Sequence, residues 1–204
     1  MGRRKFFSAK RLTGIAVLLA LVIVLQLLGG YFKVGATSLS FVLVPIVLGG
    51  ILYGMWAGAL LGFAFGFITV MFGVTGADPF TAILIQQQPV LTVLLCLVKA
   101  TAAGLVSALV YKALAKKNEY VALFTAAATA PIVNTGLFIV GMLCFFQDTL
   151  MANFVAAGTS IYYFLFIGCA GINFLVELGI NLLTAPGIYR VIRAVGGKRA
   201  GGKR

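Results

Sequence analysis

From Tyr120 to Gln147 the chain carries no charged side chain. A helix rises about 1.5 Å per residue, so roughly 20 mostly apolar residues cross the hydrocarbon core of a bilayer. Runs of this kind recur along the sequence. They predict six spans, at about 12–28, 39–53, 55–72, 89–111, 121–146 and 160–190, the second and third short and joined by a tight turn at Tyr53-Gly54-Met55. The expected fold is an all-α integral membrane protein, with residues 1–204 as a single membrane domain. Composition leaves little alternative. The chain is 62% hydrophobic and 10% charged, with a mean hydropathy of +1.11. Soluble domains average about 45–50% apolar and about 25% charged residues. A core of this size cannot hide the excess, because small domains have too much surface.

The basic residues orient the spans. Arg3, Arg4, Lys5, Lys10 and Arg11 precede the first run. Lys112, Lys116 and Lys117 lie between the fourth and fifth, and Arg190, Arg193, Lys198, Arg199, Lys203 and Arg204 follow the sixth. Six crossings put all three groups on one side, leaving Lys33 on the other and Lys99 inside a span. The positive-inside rule then places both termini in the cytoplasm. The tyrosines and Trp56 fall at or near span ends, as an interfacial belt requires. A net charge of +12 therefore needs no nucleic acid, and no basic groove interleaved with aromatics is present to stack bases. The basic tails suit anionic lipid headgroups. Residues 1–36 also resemble a signal peptide ending at Val34-Gly35-Ala36. Their apolar run is long for one, and cleavage would leave five spans, so the segment is expected to stay.

The absence of histidine excludes histidine general-base chemistry and histidine metal ligation. Cys96, Cys144 and Cys169 are far apart and lie in apolar runs, which suits packing rather than a zinc site. There is no G-x-x-x-x-G-K-[ST] to cradle ATP and no G-x-S-x-G nucleophile motif. No metal, catalytic residue or cofactor is expected.

Two small-residue patterns stand out. Gly50, Gly54, Gly58, Gly62 and Gly66 recur every fourth residue through "GGILYGMWAGALLGFAFG". Glycine at this spacing lets helix backbones approach closely in lipid, here as two short packing faces either side of the turn. Ala16 and Ala20 form a weaker small-xxx-small pair in the first span, suited to an internal contact or to another membrane protein.

The chemical signal lies in polar residues at membrane depth. Lys99 sits inside the fourth span. Asn134 and Thr135 lie midway along the fifth, after Pro131, and Asn173 and Glu177 midway along the sixth. Asn173, Glu177 and Asn181 are four residues apart, so they share nearly one helix face. A charge at the bilayer centre costs about 2.5–3.5 kcal/mol even on insertion scales. Lys99 and Glu177 are therefore expected to face inward, as an ion pair fixing helix register or as part of a solute site. Convergence from three helices favours the solute site. Residues 73–88, "GVTGADPFTAILIQQQ", and 147–159 read as long outer connections over its mouth, with Gln88, the last glutamine before Pro89, counted as a substrate contact.

With these features together, the chain resembles the substrate-binding S components of energy-coupling factor (ECF) vitamin transporters over roughly residues 10–193. The resemblance is carried by Ala16-x-x-x-Ala20, "VPIVLGGILYGMWAGALLGFAFG", "NTGLF" (134–138) and "GINFLVE" (171–177). It implies a bacterial cell-membrane protein that captures a vitamin from outside. Delivery would follow docking, through Ala16 and Ala20, onto a membrane scaffold (T) subunit with two ATPase subunits. The "NTGLF" and "GINFLVE" features look most similar to pantothenate-type members, in which a basic residue is common at the position of Lys99. Pantothenate offers a carboxylate, an amide and two hydroxyls to one cation and several amide side chains. Riboflavin or folate would need a larger, more aromatic pocket, for which seventeen phenylalanines leave room. A self-sufficient carrier or channel, working without an ATPase, is the alternative from another class.

Overall fold

The computed structural model describes residues 9–30, 33–34, 37–38, 41–155 and 158–200, with backbone alone at 33–34, 37–38 and 195–200. The expected cytoplasmic charges Arg3, Arg4, Lys5, Lys203 and Arg204, and the start of the expected second span at 39–40, lie outside the described residues. So do the side chains of Lys33, Lys198 and Arg199.

Helix α1 (Ala9–Gly29) leads to a two-residue antiparallel pairing of β1 (Lys33–Val34) with β2 (Thr37–Ser38), then to α2 (Leu43–Tyr53) and α3 (Met55–Val74). A short α4 (Pro79–Gln87) precedes α5 (Pro89–Leu114) and α6 (Glu119–Phe145), which runs unbroken through Pro131. After α7 (Gln147–Asn153) come α8 (Ile161–Tyr163), a π-helical segment Phe164–Cys169, and α9 (Gly171–Ala200). Five helices are long and apolar enough to cross a membrane: α1, α3, α5, α6 and the continuous stretch Ile161–Ala194. Their outward side chains, among them Val17, Val90, Leu175 and Leu183, are exposed and apolar, as a lipid-facing surface requires. The chain is a multi-pass membrane protein.

Two expectations are corrected. The second span is shorter than the expected 39–53: α2 has 11 residues and begins at Leu43, so it reaches only about 16 Å, roughly half the hydrocarbon thickness. Pro45 explains the late start, because its ring tolerates only the first helical turn and clashes with a carbonyl four residues earlier. The connection at 73–88 is not simply a loop either. Pro79 sits at the first position of α4, where its missing N–H costs nothing, and Phe80 and Leu84 are buried from that helix. The 147–159 connection likewise contains α7.

The glycine ladder sets the closest packing. α2 and α3 fold back on each other about Gly54, whose φ of 93° suits glycine and whose surroundings are open within 4 Å. The other four glycines pack. A Cβ on Gly58, Gly62 or Gly66 would strike the backbone carbonyl of Gly104, Ala100 or Cys96 on α5, and one on Gly50 would meet Ala108 at 2.9 Å. The ladder thus acts between α3 and α5, with α2 closing onto the same seam.

Charge gathers at one end. There the Arg11 guanidinium donates to the Tyr53 carbonyl, and the Tyr111 hydroxyl donates to Glu119 at 3.4 Å. Arg193 approaches Glu119 at 3.8 Å and lies 5.0 Å from the centre of the Tyr189 ring. Lys10, Lys112, Lys116, Lys117 and Arg190 belong to the same turns or adjacent ones. On α1, Leu18, Val22 and Gln26 face inward, whereas Ala16 and Ala20 are exposed, so the alanine pair makes no internal packing face.

Candidate functional site

A cavity opens in the half of the bundle away from the basic end. It draws on the second halves of α1, α3 and α6 and the first halves of α5 and α9. It holds about 100 Å³ of space open to the centres of water molecules, room for roughly seven to ten waters or one small solute.

Five of the six side chains expected to bind substrate line it: Lys99 from α5, Asn134 and Thr135 from α6, and Asn173 and Glu177 from α9. The local sequence explains why they meet. Asn134 and Thr135 fall on the inward side of α6 one turn beyond the buried Pro131. In the π-helical segment the Ala170 N–H bonds back to Leu165, five residues earlier, at 2.8 Å. That extra residue per turn shifts the phase of the helix. Cys169, Asn173 and Glu177 then follow at four-residue spacing into the cavity. The third polar residue on that face, Asn181, does not line it. Its amide donates to the Glu177 carbonyl at 2.8 Å.

Lys99 and Glu177 share the cavity but form no ion pair. Among the described residues the only salt bridge is that of Arg193 with Glu119. Lys99 instead places Nζ 5.2 Å from the centre of the Phe138 ring, within cation–π range. Phe138 continues an aromatic row: its ring centre is 6.0 Å from that of Phe80 on α4, which lies 4.8 Å from Phe154, itself 6.0 Å from Phe164. Phe138 and Phe80 line the cavity, and Phe154 and Phe164 continue the row behind them.

The sixth residue, Gln88, does not line the cavity. It sits at the junction of α4 and α5, where its carbonyl accepts from both the N–H and the hydroxyl of Thr92, and its Oε1 is buried without a hydrogen-bond partner. The cavity also contains residues that sequence reasoning passes over: Gln26 from α1, Thr69 from α3, Asp78 and Thr81 at the start of α4, and Phe65, Phe72 and Phe80. Thr81 donates its hydroxyl to the Asp78 carboxylate. Gln26 was findable, as a lone polar residue on the inward stripe of an apolar helix. Asp78 and Thr81 carried no such signal, because polar residues are ordinary in a connection.

The groups that meet here are ones that can hold a small polar solute. One ammonium, two carboxyl groups, three amides and several hydroxyls face a small volume walled by four phenylalanines. Among the described residues no group of three potential metal ligands occurs.

Residues 10–189 match the family model described as ECF transporter, substrate-specific component. No curated protein matches the chain.

Proposed function

The chain belongs to the family of ECF transporter substrate-specific components, and from that premise we propose that it is the vitamin-binding subunit of an ATP-driven importer, with pantothenate as its solute. The observation that carries this reading is the single cavity in which Lys99, Asn134, Thr135, Asn173 and Glu177 converge from three helices. Lys99 receives the carboxylate of the vitamin. The amides of Asn134 and Asn173, with Thr135, engage its amide and hydroxyls, and the phenylalanines cover its methyl groups. Riboflavin or folate would draw mainly on the aromatic wall and leave the single cation and the amides less used. The basic end of the bundle faces the cytoplasm under the positive-inside rule, which turns the cavity outward. The chain then crosses six times in effect, with α2 as the short second passage, and both termini are cytoplasmic. Ala16 and Ala20, exposed on α1, face a scaffold subunit that carries the two ATPases.

Mass spectrometry of small molecules released from the purified chain, together with equilibrium binding of pantothenate, riboflavin and folate, tests the assignment. Pantothenate should be recovered and should bind most tightly. Recovery of another vitamin would displace pantothenate, and concentrative uptake by the chain alone in proteoliposomes would replace the importer with a self-sufficient carrier.

A further inference from the structure

We propose that Gln26 of α1 is a specificity-determining contact of this cavity, and that with Asn134 and Glu177 it selects solutes by the hydrogen-bond donors they carry. The inference rests on the reading of the cavity as the solute site. Gln26, Asn134 and Glu177 are 8%, 5% and 5% exposed. Each has one oxygen, Gln26 Oε1, Asn134 Oδ1 and Glu177 Oε2, that is buried without a hydrogen-bond partner among the described residues. All three side chains line the same cavity, from α1, α6 and α9.

Buried acceptors are almost always satisfied, and those that are not call for an explanation. Gln88 and Asn181 also have an unpartnered oxygen, but neither lines the cavity; Asn173 lines it but is only half-buried. The combination of burial, an orphan oxygen and access to the cavity selects Gln26, Asn134 and Glu177. An apolar residue would serve packing better at each of these positions. At Gln26 the neighbours on the inward stripe of α1 are Leu18, Val22 and Gly29. Three acceptors brought together from three helices are complementary to a solute bearing hydroxyl, amide N–H or ammonium donors. Lys99 is a donor in the same cavity and suits an acidic or acceptor-rich end. The site therefore offers both a cation and acceptors within one small volume, and its ligand class is a small molecule that carries a carboxylate and several donors.

The test uses the purified full-length chain, with pantothenate and its two mono-O-methyl ethers as probes, and Gln26→Met and Gln26→Glu as variants. Methionine keeps the length and flexibility of glutamine but accepts no strong hydrogen bond; glutamate keeps an acceptor. Gln26→Met should weaken pantothenate about ten-fold or more and lose the discrimination between pantothenate and at least one ether, while Gln26→Glu keeps it. Without solute, Gln26→Met should melt no lower than wild type, because an orphan acceptor has been removed. Wild-type affinity and discrimination in Gln26→Met would overturn the inference. So would a lowered melting temperature of that variant without solute, which would mean that Gln26 serves the fold. If wild type binds none of the probes, the pantothenate assignment fails, and the solute-free melting temperature alone decides for or against Gln26. Pantothenate binding that survives Lys99→Met unchanged would place the solute outside this cavity and overturn both readings.

Discussion

Lys99 lies against the face of Phe138, 5.2 Å from the ring centre, and not in an ion pair with Glu177, although both side chains reach the same cavity. A lysine that held helices together through Glu177 would leave a buried charge uncompensated when removed, and the fold would weaken. A lysine poised on an aromatic ring is instead available to an incoming anion. Lys99→Met should therefore leave thermal stability close to wild type. Its pantothenate affinity should fall by roughly thirty-fold or more, the effect of losing one partner of a desolvated charged contact of about 2–5 kcal/mol. The neutral alcohol of pantothenate should lose much less. A large drop in melting temperature that is restored by adding Glu177→Gln would show the lysine to be structural.

The orientation of the bundle can be read by accessibility. Asp148 on α7 and Lys117 after α5 are both exposed and lie at opposite ends of the fold. In a cysteine-free background, which also removes the exposed Cys144, a cysteine at 148 should react with an impermeant thiol reagent added outside intact cells. A cysteine at 117 should react only after the membrane is opened. The reverse pattern would invert the topology and put the cavity on the cytoplasmic side.

Much of this architecture is legible from composition, because lipid leaves the backbone few choices. The boundaries of α3, α5 and α6 fall within a few residues of the apolar runs. The second span was less legible: the apolar pattern continues back to 39, but α2 begins at Leu43, which leaves Pro45 in its first turn, where the ring is tolerated. For the site, a polar side chain within an apolar run is a strong signal, since it is costly unless it faces inward. Lys99, Asn134, Thr135, Asn173 and Glu177 are all found this way. Gln26 gives the same signal more weakly, near the end of its run, where polar residues ordinarily meet the interface. Gln88 reads as a mouth residue only if 73–88 is an extended loop. Once Pro79 starts a helix there, Gln88 falls at the α4–α5 joint and Asp78 and Thr81 enter the cavity instead.

The alanine pair on α1 offers a separation of binding from transport. Ala16 and Ala20 are exposed on the side of α1 away from Leu18, Val22 and Gln26. Small side chains permit close helix approach, so leucine at either position should block docking onto a scaffold subunit while leaving the cavity untouched. Ala16→Leu and Ala20→Leu are expected to bind pantothenate like wild type and to lose ATP-driven uptake in cells supplying the partner subunits. Normal uptake by both variants would move the docking surface elsewhere on the bundle.

The final prediction concerns the seam that holds the cavity open. Gly62 and Gly66 of α3 back directly onto the carbonyls of Ala100 and Cys96, immediately beside Lys99. A methyl group there meets backbone, which cannot rotate away, so the two helices must separate. Overpacking of this kind typically costs about 1–3 kcal/mol. Gly62→Ala should thus lower the melting temperature of the purified chain and, by shifting α5, weaken solute binding as well. Gly136, in the middle of α6, provides the control, since a Cβ there meets nothing within 4 Å. Because alanine in a helix is favoured over glycine by roughly 0.5–1 kcal/mol, Gly136→Ala should melt at or slightly above the wild-type temperature. Equal melting temperatures for Gly62→Ala and Gly136→Ala would mean that the α3–α5 contact is looser than its geometry requires, and that the glycine ladder does not set the position of Lys99.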